Sequence, residues 1–156
     1  MKFFQKLFLP LVTFFLTFSG VQAQQSLPQF SFSDLDGKAF TYAQLRSDIP
    51  TIVFFFDPYC EHCQQQATWM KEAKNELTNV QQIWVTTEEP IAARDFGEKY
   101  LGGDWDNVHI LIDKQFLFDG YFGYSQIPSI YLYNNQGQQV KAFDKETPAD
   151  VLLRFL

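Results

Sequence analysis

The chain has 156 residues with 46% hydrophobic and 18% aromatic content, enough apolar side chain for a domain of this size to bury a substantial core. Eighteen acidic residues outweigh twelve basic ones, for a net charge of −6, which argues against a polyanionic partner such as a nucleic acid. With two cysteines and two histidines, few metal-ligating combinations exist.

Met1-Lys2 and Lys6 precede an apolar stretch, Leu7 to Phe18, and then Gly20-Val21-Gln22-Ala23. A basic start, a short apolar core and small residues at a cleavage point describe a secretory signal peptide over residues 1–23. The apolar core is shorter than the roughly 20 residues a membrane-spanning helix needs. The signal carries two lysines and no acid, so its removal takes the net charge from −6 to −8 over residues 24–156, read as one domain. A periplasmic or secreted location follows.

Phe30-Ser31-Phe32 alternates as an edge strand does, Asp34 to Lys38 reads as a turn, and Phe40 and Tyr42 resume the alternation, so the domain opens on a hairpin. A short helical turn follows around Ala43 to Arg46. Thr51 to Phe56 is continuously apolar, the pattern of a central strand covered on both faces. Asp57-Pro58-Tyr59 breaks it, and from Cys60 to Leu77 apolar residues recur at helical spacing. Further strands are expected at Gln82–Thr86 and Val108–Ile112, with a proline-initiated helix Pro90–Leu101 between them and Gly102-Gly103-Asp104 as a loop. Gln115 to Tyr121 reads as helical. Ile130–Tyr133 and Gln138–Phe143 flank Asn134-Asn135-Gln136-Gly137, a strong hairpin signal. Thr147-Pro148 is expected to cap a last helix. Alternating strands and helices imply an α/β fold with a partly parallel, mixed central sheet and flanking helices.

Cys60-Glu61-His62-Cys63 holds both cysteines. As a structural crosslink the pair would be a poor choice, since a disulfide closing so short a loop contributes roughly 2 kcal/mol against about 4 to 5 kcal/mol for a loop of a hundred residues. Its position argues for redox chemistry instead. A thiol in the first turn of a helix faces unpaired N–H groups and the positive end of the helix dipole, both of which favour the thiolate. Cys60 is therefore the expected nucleophile of disulfide exchange and Cys63 the residue that resolves the mixed disulfide. A zinc site lacks ligands, for only His62 and His109 are available beside the pair. Protonated His62 would favour the Cys60 thiolate, whereas Glu61, and Asp57 if it lies near, would disfavour it, so the redox poise stays open on sequence grounds. His62 and Glu61 are accordingly grouped with the cysteines as catalytic candidates.

A buried strand ending in Phe-Phe-Asp-Pro-Tyr and running into a Cys-x-x-Cys helix resembles the thioredoxin superfamily, as does Phe122-Gly123-Tyr124-Ser125-Gln126-Ile127-Pro128-Ser129, which looks like that family's cis-proline loop. The resemblance implies a three-layer sandwich, a cis Ile127–Pro128 bond beside the cysteines, and client contacts through Tyr59, Ile127 and Pro128. The opening hairpin with Asp36-Gly37-Lys38 is most similar to the TlpA/ResA-type branch of secreted redoxins. Membership of that branch implies a monomeric protein-disulfide reductase without a bound cofactor, acting on client protein thiols such as those of apocytochrome c. Its electrons would come from a membrane electron-transfer partner, or would pass to a quinone-linked one if the protein were an oxidase.

Glu61 matches the Cys-Glu-Pro-Cys common in that branch, while His62 is similar to the Cys-Pro-His-Cys of the periplasmic oxidase DsbA. Two departures stand out. Phe54 occupies the position of thioredoxin's buried aspartate, and Tyr59 that of its tryptophan. A peroxidase is disfavoured because Asp57 stands where the peroxiredoxin signature has threonine. The alternative from another class is a Sco-like copper module, in which Cys60, Cys63 and His109 would hold the ion.

Overall fold

The computed structural model describes residues 25–103, 106–123 and 125–156. The expected signal, residues 1–23, lies outside them, as do Asp104 of the expected loop and Tyr124 of the cis-proline motif. No helix among the described residues is long and apolar enough to cross a membrane.

Seven strands form one mixed sheet: β1 (Ser31–Ser33), β2 (Ala39–Thr41), β3 (Thr51–Phe55), β4 (Gln81–Thr86), β5 (Val108–Ile112), β6 (Ser129–Tyr133) and β7 (Gln139–Phe143). Their order is β2-β1-β5-β4-β3-β6-β7. β3, β4 and β5 are mutually parallel, and β6 runs antiparallel to β3 with Phe55 opposite Ser129. The hairpins β1–β2 and β6–β7 close the two edges. β3 and β4 are covered on both faces, which is why their sequences carry apolar runs with no polar alternation.

Side chains alternate between the faces of a strand. One face carries Ile52, Phe54, Trp84, Ile130 and Leu132 beneath α1 (Glu61–Glu72), α2 (Pro90–Phe96) and α4 (Ala149–Leu153). The other carries Val53, Ile83, Val85, Leu111, Tyr131 and Tyr133 beneath α3 (Phe118–Phe122) and the aromatic side chains of the opening hairpin. The expected three-layer, thioredoxin-like sandwich is present.

Several element boundaries differ from the sequence expectation. α1 ends at Glu72 and gives way to a 3₁₀ turn, Lys74–Glu76, because the Asn107 side-chain amide donates to the carbonyls of Leu77 (2.7 Å) and Val80 (2.6 Å) and holds the chain in a bend. The helix expected through Leu101 changes to a π-helical turn at Gly97–Leu101. Gly97 packs against β5 so closely that a Cβ there would lie 2.5 Å from Ile110 Cδ1. The helix expected from Gln115 begins only at Phe118. Buried Asp113 accepts the backbone N–H groups of Leu117 (3.0 Å) and Phe118 (2.8 Å), and Phe116 between them has φ 55°, which no helix accommodates. Thr147 does not cap α4: its hydroxyl donates to Lys145 O at 3.1 Å, and its N–H donates to Gln66 Oε1 of α1 at 2.7 Å.

Candidate active site

β3 ends at Phe55, and the turn that follows is built by Asp57, whose carboxylate accepts the Tyr59 N–H at 2.7 Å and whose carbonyl accepts the Cys60 N–H at 3.1 Å. Cys60 is the N-cap of α1, with extended backbone (φ −79°, ψ 120°), and its carbonyl accepts the Gln64 N–H at 3.0 Å. Its thiol thus stands at the helix terminus where a negative charge is favoured. Cys60 is half-buried, while Cys63, one turn on, is fully buried in the core face of the sheet with Phe54, Phe56 and Met70. Both thiols are free.

Burial pushes the Cys63 thiol far above its ordinary range. The Asp57 backbone amide opposes this, and the neighbouring Cys60 side chain and the Asp57 charge reinforce it. The pair is therefore asymmetric: a half-buried sulfur at a helix N-terminus and a protonated one behind it. Phe54, at the position of thioredoxin's aspartate, is 1% exposed and stacks on Trp84 with ring centroids 3.9 Å apart, so an aromatic ring fills the place of that carboxylate.

His62 points along α1 to Glu146, its Nδ1 lying 2.9 Å from Glu146 Oε1, and Glu61 is exposed in the first turn of the helix. The His62 partner beside the cysteines is thus a carboxylate 84 residues away in sequence. One helical turn further, Gln66 Oε1 holds the Thr147 N–H, so two side chains on one face of α1 dock the loop that carries Glu146.

The Ile127–Pro128 peptide is cis, as the resemblance implied. Since Ser129 pairs with Phe55, Pro128 enters the sheet beside the strand end that leads to Cys60. Pro128 is buried, whereas Ile127 (42% exposed) and Tyr59 (71%) face solvent. The structure thus gathers Tyr59, Cys60, Glu61, His62, Cys63, Ile127 and Pro128 at one end of the sheet.

It does not bring His109 there, which corrects the copper alternative. His109 alternates with Val108 and Ile110 on β5, and those two pack on the face that holds Cys63. His109 packs in a tilted contact against Phe40 of the opposite face, ring centroids 4.7 Å apart, so the sheet itself separates it from the cysteines. Its imidazole is held below its ordinary range by burial, as expected of a packed neutral histidine. Among the described residues no three His, Cys, Asp or Glu side chains converge as a metal site.

Two residues at this end escaped the sequence reading. Glu146 lies too far along the chain for any spacing rule to pair it with His62. Phe116 was absorbed into an expected helix, although Asp113 directly after β5 is a turn signal.

A family model described as AhpC/TSA family matches residues 23–145. None of the curated proteins compared matches the sequence. Among solved structures, a secreted Mycobacterium tuberculosis disulfide oxidoreductase homologous to E. coli DsbE is 22% identical with a TM-score of 0.67, covering 81% of this chain and 94% of that one. The MTB protein dsbF is 23% identical with a TM-score of 0.69, covering 84% and 95%. A SCO1/SenC family lipoprotein from Bacillus anthracis is 20% identical with a TM-score of 0.67, covering 85% and 94%. At these identities the likeness is one of fold.

Proposed function

The chain belongs to the AhpC/TSA family, and from that premise we propose that it is an extracytoplasmic protein thiol–disulfide reductase working through Cys60 and Cys63. The observation that carries this reading is the asymmetric dithiol: Cys60 half-buried at the N-cap of α1, Cys63 fully buried with its thiol pushed up, and cis Pro128 beside them.

The Cys60 thiolate attacks one sulfur of a client disulfide. The client S–S bond breaks, a Cys60–client bond forms, and the released client thiolate takes up a proton. Cys63 then loses its proton and attacks the Cys60 sulfur, expelling the second client thiol and leaving a Cys60–Cys63 disulfide. Two electrons pass from protein to client. Tyr59, Ile127 and Pro128 border the attacking sulfur and hold the client chain.

The reductive direction draws support from the local charges. A group that stabilises the thiolate makes a couple more oxidising, and here the His62 imidazole is paired with the Glu146 carboxylate, its Nδ1 lying 2.9 Å from Oε1. Asp57 and Glu61 add two carboxylates to the segment that carries Cys60. The signal segment, residues 1–23, supports an extracytoplasmic site of action, where a membrane electron-transfer partner would re-reduce the protein and apocytochrome c thiols are among the fitting clients.

Removal of the resolving thiol tests the assignment. A Cys63→Ala variant incubated with an oxidised client protein should accumulate a mixed disulfide that reducing agent releases, and Cys60→Ala should accumulate none. Equal trapping by both variants would overturn the assigned roles.

A further inference from the structure

The parallel strands β3, β4 and β5 all deliver their connections to the end of the sheet where Cys60 lies, and β6 starts from that end. Connections at the carboxyl ends of parallel strands are where α/β sheets bind ligands. Seven large hydrophobic side chains are exposed among the described residues, and five of them, Tyr59, Ile91, Phe116, Leu117 and Ile127, sit in these segments. Such clustering departs from the scattered exposure of a solvent-facing surface.

Phe116 is the most exposed of them, at 76%, and its backbone lies in the left-handed region (φ 55°). That conformation costs a bulky side chain about 1 kcal/mol or more. The turn is fixed on both sides, by Asp113 accepting the Leu117 and Phe118 N–H groups and by Phe118 stacked on Phe55 at 4.3 Å. The aromatic ring between these anchors is held out into water. Beside it lies a hollow of about 90 Å³, lined in part by Phe55, Thr87, Phe116 and Ser125 and by the carboxylate residues Asp113 and Asp119, which links this turn to the cis-proline loop.

Close to the strand ends the charge in the same segments is mainly acidic, whereas the cations Lys71, Lys74, Arg94 and Lys99 lie further along the helices and Arg94 is paired with Asp36. Asp57, Glu61, Glu88 and Glu89 lie in the connections after β3 and β4, and the connection after β5 supplies one cation, Lys114. We propose that this apolar, acidic rim binds one kind of client: an extended polypeptide with aromatic or aliphatic side chains and lysine or arginine flanking its reactive cysteine. The apolar side chains take the client's flanking residues, with Phe116 and the hollow beside it as the anchor, and Glu88 and Glu89 face the client's cations. A folded acidic protein does not fit this surface. The inference rests on the oxidoreductase reading above and adds the chemistry of its client.

The test uses short peptides carrying one cysteine as a mixed disulfide with 5-thio-2-nitrobenzoate, whose release by the reduced protein is followed by absorbance. Three peptides suffice: cysteine flanked by Lys and Phe, by Glu and Phe, and by Lys and Ser. The protein should react with the first roughly tenfold faster than with the second at low salt, the gap narrowing as salt is added. Phe116→Ser should remove most of the preference for Phe over Ser, and a Glu88→Gln, Glu89→Gln double variant most of the preference for Lys over Glu, with the Cys60–Cys63 couple still reversible in both. Equal rates for all three peptides, or an unaltered ranking in the variants, would overturn the client assignment and leave the redox reading intact. Failure to release thionitrobenzoate from any peptide would overturn both.

Discussion

Raising the pH should destabilise the reduced protein through a single buried thiol. Cys63 has no exposed surface, and its desolvation is the main reason its thiol holds a proton so far above the ordinary range. In the unfolded chain the same thiol ionises near pH ~8.5. Below that pH both states hold the proton and the stability is fully present. Above it the unfolded state has shed a proton that the folded state keeps, so stability falls by about 1.4 kcal/mol per pH unit. Between pH about 8.5 and 10 the loss is about 2 kcal/mol, a sizeable part of the 5–15 kcal/mol typical of whole domains. Urea titrations of the reduced protein across that range, paired at each pH with Cys63→Ala, isolate this effect. Tyr131 and Tyr133, both pushed up chiefly by burial, are common to the two proteins and cancel in the comparison. Wild type should lose stability more steeply than the variant. Parallel stability profiles would refute the claim that Cys63 is a buried, protonated thiol.

Replacing Phe54 by aspartate, the residue thioredoxin has at this position, should cost at least about 3 kcal/mol and lower the thermal midpoint in circular dichroism. The substitution deletes a buried ring stacked on Trp84 and places a carboxylate in its stead. A variant as stable as wild type would show that this region accepts an acid. Glu146→Gln removes the carboxylate 2.9 Å from His62 Nδ1 and should raise the reduction potential by about 10 to 20 mV, the equivalent of about 0.5 to 1 kcal/mol for a two-electron couple, the size expected of one uncompensated surface charge. A fall in potential would contradict the proposed role of the pair.

What the sequence disclosed and what it withheld divide along physical lines. Thr51–Phe55 declared itself as a doubly covered strand because its side chains from Ile52 onward are all apolar, and Asn134 to Gly137 declared a hairpin because few residues tolerate such a turn. The Cys60–Cys63 spacing placed both sulfurs in the first turn of α1 for the same local reason. Information that depends on distant partners was not legible. The end of α1 is decided by Asn107 and the partner of His62 is Glu146, whereas the Phe116 turn is set by Asp113 close by in the chain, whose burial shows only in the folded domain. His109 is an intermediate case. Period-two alternation along β5 already set it apart from Val108 and Ile110, but which face also received α1 became visible only with the sheet assembled.

The measurement that bears most directly on the central claim is the reduction potential of the Cys60–Cys63 couple, obtained by equilibrating the protein in glutathione or dithiothreitol buffers and counting free thiols. A reversible two-electron couple near thioredoxin's roughly −270 mV is the predicted result. A potential near DsbA's roughly −120 mV would contradict the reductive direction, and the absence of a reversible couple would contradict the assignment of Cys60 and Cys63 as a redox pair.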